Sequence, residues 1–127
     1  MVKKLFKQHA FTMIELMVVM AMIATLIAIA MPRYFDGLER AKETALRLNL
    51  KEIREAIGHY HEDKGQYPAS LESLVSERYL RFIPVDPITE SAETWQELHT
   101  SGSQLGVYDV SSGAESVSKD GSIYSSW

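Results

Sequence analysis

Glu15 is the one charged residue in Phe11–Met31 (FTMIELMVVMAMIATLIAIAM), a run of twenty-one residues. A carboxylate at membrane depth costs about 2.5–3.5 kcal/mol on insertion scales, so it calls for a partner. The cations nearest in sequence, Lys3, Lys4, Lys7 and Arg33, can all stay at the interfaces on their long stems, which leaves Glu15 with no evident partner in its own chain. The chemistry implied is pairing with a positive charge on another molecule. The bland alternative is an acid close enough to the membrane edge to reach water.

A second set of acids lies near the end of the chain. Asp109, Glu115 and Asp120 are interleaved with Ser111, Ser112 and main-chain carbonyls. Hard oxygen donors of this kind suit Ca²⁺. The spacing is not that of an EF-hand, which needs further acidic positions and a following helix. The alternative to a metal is a loop held by Tyr124 and Trp127 packing back on the rest of the domain.

Catalysis finds no footing. His59 and His61 are two apart on a helix and point to different faces, so they cannot form a two-His metal site. There is no Gly-x-Ser-x-Gly elbow, phosphate-binding glycine loop or His-Glu-x-x-His, and the chain reads as a non-enzyme. The 127 residues carry 13 Lys+Arg against 17 Asp+Glu, a net charge of -4. Without residues 1–10, which hold three of the cations, ten cations face seventeen anions, a net -7. Nucleic acid is therefore not an expected partner. The absence of cysteine excludes a disulfide framework and thiol catalysis.

The elements that must position these residues follow from periodicity. Phe11–Met31 is long enough as a helix to cross the roughly 30 Å hydrocarbon core. The basic start puts residues 1–10 on the cytoplasmic side, with everything after Met31 outside, as in a single-pass signal anchor. Pro32 should kink or locally melt the helix, and Pro32 to Gly37 reads as a flexible joint. Beyond it Leu46, Leu50, Ile53, Ile57 and Tyr60 form an apolar stripe, extended backward by Leu38, Ala41 and Ala45. One helix is expected from Phe11 to about Glu62, some 75–80 Å. Its Glu43/Arg47 and Lys51/Glu55 pairs read as a solvated face, with subunit contact the alternative. The turn Asp63–Pro68 stops it, and Ser70 should cap a short helix Leu71–Arg78. Tyr79–Pro87 reads as an extended connector. Thr94–His99, Gly106–Val110 and a short third segment, Ser122–Tyr124, read as strands. The fold class is α+β, a long helix packed on a small antiparallel sheet, with Leu46, Leu50, Ile53, Ile57, Leu74, Trp95 and Val107 in the core.

A short basic leader, a small residue, then Phe11-Thr12-Met13-Ile14-Glu15-Leu16 and a long apolar helix resembles the N-terminus of type IV pilins and type II secretion pseudopilins. The resemblance implies that a prepilin peptidase cuts on the cytoplasmic side between Ala10 and Phe11 and then methylates the new amine. Ala10 stands where that family usually has Gly. Glu15 falls at the fifth position after the cut and Pro32 at the twenty-second, both family features. Glu15 would then pair with the Phe11 amine of an adjacent subunit, and Phe11, Glu15 and Pro32 would be the assembly residues. The implied organisation is a leader over 1–10, a transmembrane and assembly helix over 11–35, and a periplasmic pilin-like domain over 36–127.

Gly65-Gln66-Tyr67-Pro68, the short helix, Val85-Asp86-Pro87 and a terminal aromatic are similar to the major pseudopilin of type II secretion. Here Asp86-Pro87 continues as Ile88-Thr89-Glu90 with Trp95 displaced, so that loop should differ from the family's. Major pseudopilins hold Ca²⁺ in the C-terminal loop through an Asp at a strand end, which Asp109 fits, and a second acid after a Ser-x-Gly-Ala segment. Here Ser112-Gly113-Ala114 leads into Glu115 with spacing one residue shorter. The function implied is a homo-oligomeric helical filament that begins in the inner membrane, extends into the periplasm and drives protein export. Its partners would be minor pseudopilins, the inner-membrane assembly platform and the peptidase. Two other readings stay open: a type IV pilin used for adhesion or motility, and a lone membrane-anchored binding domain.

Overall fold

The computed structural model describes residues 10–103 and 105–127. The elements are α1 (Met13–Lys64), α2 (Leu71–Ser76), β1 (Gln96–His99), β2 (Val107–Ser111) and a terminal 3₁₀ turn (Tyr124–Ser126). This is the expected α+β pilin-like architecture, a long helix and a small antiparallel sheet. The leader expected over 1–10 lies, except for Ala10, outside the described residues.

Two compact units divide within α1, between Leu38 and Glu39. The first contains the apolar half of the helix, which is long and apolar enough to cross a membrane, with none of its most apolar stretch buried inside the chain. Met17, for example, is 68 % exposed. A helix that is apolar all round needs lipid or other helices about it. The expected melting at Pro32 is not seen: α1 is assigned as helix without interruption through Pro32 and Gly37. A proline removes only one rung of the helical ladder, and long helical runs on either side carry the backbone through it.

The second unit, Glu39–Trp127, holds the core. Leu46, Leu50, Ile53, Ile57 and Tyr60 are all buried, and they meet Leu71, Leu74, Leu80, Trp95, Val107, Val110 and Tyr124. Every expected core residue is among them. The backward extension of the stripe is not buried: Leu38 is 41 % exposed and Ala41 is exposed. Periodicity alone therefore overestimates the covered face.

α1 ends where Gly65 takes φ +67° and its N–H donates to the His61 carbonyl at 2.8 Å, a left-handed glycine stop. α2 is shorter than expected because Arg78 adopts φ 66°, which ends the helical backbone. Ser70 occupies the N-cap position, but its side chain makes no cap bond there; the Leu71 N–H is taken instead by Glu97 Oε1 from β1 at 3.0 Å. β1 and β2 pair antiparallel, with a register irregularity between Leu98 and His99. The third strand expected at Ser122–Tyr124 is a single Val117/Ile123 bridge followed by the 3₁₀ turn. That segment is too serine-rich to present an apolar strand face, and it is held by side-chain bonds instead.

Candidate functional site

The start of α1 is built by Thr12 and Glu15. The Glu15 N–H donates to Thr12 Oγ1 at 3.1 Å, and the Thr12 N–H donates to Glu15 Oε2 at 3.4 Å. This is a capping box: each residue satisfies one of the backbone donors that a helix start leaves free. Glu15 therefore does have a partner in its own chain, which corrects the sequence-based expectation. The sequence signal for it is Thr12-x-x-Glu15. The bond is long and spends one carboxylate oxygen on a neutral donor. The carboxylate lies beside exposed apolar side chains, Phe11 at 79 % and Ile14 at 73 %. Ala10 is also exposed, so the Ala10–Phe11 peptide lies clear of other described residues. The arrangement can present an anion at the head of an apolar helix to a cation from elsewhere.

The acids of the C-terminal segment are not gathered. Among the described residues no group of three or more His, Asp or Glu side chains is placed to hold a metal ion. Asp109 lies in the middle of β2 and not at a strand end as expected, and it is engaged by α1: Arg54 Nε donates to Asp109 Oδ1 at 2.8 Å. The same carboxylate oxygen accepts from the Val110 N–H at 2.8 Å. Asp120 accepts from the Ser122 N–H at 2.8 Å and from the Ser122 hydroxyl. Glu115 is exposed. The donor chemistry suits Ca²⁺, but the donors as arranged do not fit one ion, because a guanidinium already sits on Asp109.

Tyr124 and Trp127 pack back on the domain, as the alternative to a metal expected; what sequence reasoning missed is that the polar edge of α1 receives them. The Tyr124 hydroxyl donates to Glu43 Oε1 at 2.9 Å. The Arg47 guanidinium lies 4.0 Å from the centroid of the Trp127 ring, and that indole donates to Ser122 Oγ at 2.7 Å. Glu43, Arg47 and Arg54 are spaced by four and seven residues, one helical edge beside the buried stripe. Burial pushes the Tyr124 hydroxyl up to about 12, with the Glu43 carboxylate adding to the shift. In return the Tyr124 hydrogen bond holds Glu43 below its usual range. Hydrogen bonds from Ser122 hold Asp120 low as well.

Residues 5–31 match the family described as the prokaryotic N-terminal methylation motif. The chain is 29 % identical over 125 residues to the fimbrial protein EcpC of Eikenella corrodens, covering 94 % of this chain and 80 % of the relative. It is 32 % identical over 97 residues to the type II secretion system core protein G of Pseudomonas aeruginosa, covering 64 % of this chain and 68 % of the relative. It is 35 % identical over 63 residues to a fimbrial protein of Neisseria meningitidis serogroup A, covering 50 % of this chain and 37 % of the relative. No solved structure matches.

Proposed function

The chain belongs to the pilin-like family of structural subunits, and from that premise we propose that it is the major subunit of a type II secretion pseudopilus. In this reading a prepilin peptidase removes residues 1–10, methylates Phe11 and releases a subunit whose apolar helix stacks with its neighbours. The subunit is anchored in the inner membrane, and the filament grows into the periplasm on an assembly platform, together with minor pseudopilins. Work is done by assembly, and this reading gives the chain no catalytic role.

The observation that carries this reading is Glu15 itself, a charged acid at the head of an otherwise apolar helix. Moving such a group into lipid costs about 2.5–3.5 kcal/mol, and a neighbouring subunit's Phe11 amine would offset that cost by replacing a neutral donor with a cation. The type II secretion assignment draws on the similarity to core protein G over 68 % of that relative. The absence of cysteine agrees with it, since type IV pilins often close their C-terminal loop with a disulfide.

A type IV pilin is the second reading, favoured by the similarity to fimbrial protein EcpC. Gene deletion with complementation separates the two. A pseudopilin gives loss of folded exoproteins from the medium with surface fibres intact; loss of surface fibres with secretion intact would assign it to the pili.

A further inference from the structure

We propose that the Arg54 guanidinium is the cation that locks the C-terminal segment onto the long helix, in place of a bound divalent ion. Arg54 bridges three parts of the domain at once. Nε donates to Asp109 Oδ1 at 2.8 Å, and Nη2 donates to the Val110 carbonyl at 3.0 Å and to the main-chain oxygen of Trp127 at 2.7 Å. These are a carboxylate and a carbonyl from adjacent residues of β2 and a main-chain oxygen from the 3₁₀ turn's end, the kind of oxygen set that a hard cation collects. A planar guanidinium with several fixed donors serves such a set equally well.

Three further observations point the same way. Asp109 is already neutralised, and its Oδ1 is shared between Arg54 and the Val110 N–H. Glu115 and Asp120 are not both gathered with it, since no group of three His, Asp or Glu is placed for a metal among the described residues, and Asp120 Oδ1 is occupied by Ser122. The docked segment is also completed without an ion, through Arg47 on the Trp127 ring and Tyr124 on Glu43. Calcium entering at Asp109 would have to displace a charged hydrogen-bond donor. The segment is therefore held at any calcium concentration.

The test is thermal melting of the full chain in detergent micelles, followed by tryptophan fluorescence and near-ultraviolet circular dichroism. It compares EDTA with about 10 mM Ca²⁺, well above the roughly 1 mM dissociation constants of weak extracellular calcium sites. The expected result is the same Tm in both. Arg54→Gln should lower Tm by about 4–8 °C, a shift typical of a small domain losing one such cluster, and by the same amount with or without Ca²⁺. A wild-type Tm that climbs several degrees with Ca²⁺ would overturn the proposal. So would an Arg54→Gln protein that melts like wild type. Should Arg54→Gln not fold, Asp109→Asn removes the ion pair alone; a smaller fall, insensitive to Ca²⁺, is expected, and a Ca²⁺-dependent stabilisation lost in that variant would contradict it. Melting is independent of filament formation, so this result and the assembly reading stand or fall separately.

Discussion

The Ser112 hydroxyl donates to Asp86 Oδ2 in the middle of the domain, and both residues are completely buried. The other carboxylate oxygen, Oδ1, accepts from the Ile88 N–H at 2.8 Å and the Thr89 N–H at 3.4 Å. Ser112 Oγ in turn accepts from the Ala114 N–H at 3.1 Å. One buried acid thus shapes the turn after the connector and fixes the segment that follows β2 against it. Each buried donor left unpaired costs about 1–3 kcal/mol. Asp86→Ala should therefore lower unfolding stability by about 2–4 kcal/mol. Asp86→Asn, which keeps an acceptor for the two N–H groups, should cost clearly less. Urea midpoints of the two variants check this, and equal losses would contradict it.

Gly113 has no room for a side chain. A Cβ there would lie 2.0 Å from the Thr94 carbonyl oxygen, a backbone atom that cannot swing aside. Gly113→Ala should cost about 3 kcal/mol, at or above the upper end for overpacking. Gly58 is the control, since a Cβ there meets nothing within 4 Å and the residue lies inside α1. Gly58→Ala should be neutral or stabilise by up to about 1 kcal/mol through helix propensity. Denaturant unfolding of both variants reads the contrast.

The Glu43–Tyr124 bond gives stability two pH limits. Glu43 is held below the usual carboxylate range, so its contribution is present above the unfolded-state value of about 4.3 and is lost as pH falls through the folded-state value. Tyr124 is pushed up to about 12. Its contribution is complete below the unfolded-state value of about 10 and is lost as pH rises from there. Tyr124→Phe should flatten the alkaline limb of the stability curve and soften the acid limb, where Asp120, also held low, still acts. Urea midpoints across pH measure both limbs. An unchanged alkaline limb in the variant would be the contrary result.

The capping box separates two jobs of Glu15. Gln can reach back to the Thr12 N–H as Glu does, but it carries no charge. Glu15→Gln should keep α1 formed and membrane insertion normal while abolishing assembly, and Thr12→Val should fray the helix start by about 1 kcal/mol yet leave assembly in place. Cross-linking of membrane-inserted protein reads assembly. Full assembly by Glu15→Gln would assign Glu15 to capping alone.

Much of this fold was legible in the chain. The stripe Leu46, Leu50, Ile53, Ile57 and Tyr60 marked the helix face and the core together, because helical period and burial are the same signal there. The third strand is not there because, although Ser122 and Tyr124 alternate like a strand, Asx-type bonds donated by Ser122 to the Asp120 carboxylate favour a turn. The role of Arg47 and Arg54 was hidden: their targets, Trp127 and Asp109, are 80 and 55 residues away in sequence and no local pattern links them. The head of α1 was half legible. Its acid stood out by composition, and its cap was written in the same four residues, Thr12 to Glu15.

Mass spectrometry of the N-terminus of the protein purified from its own membranes tests the central claim most directly. The predicted result is a chain that begins at Phe11 with a methylated amine, the form that can offer a cation to the Glu15 of a neighbour. A chain that begins at Met1 in the membrane, with an unmodified Ala10–Phe11 bond, would contradict it.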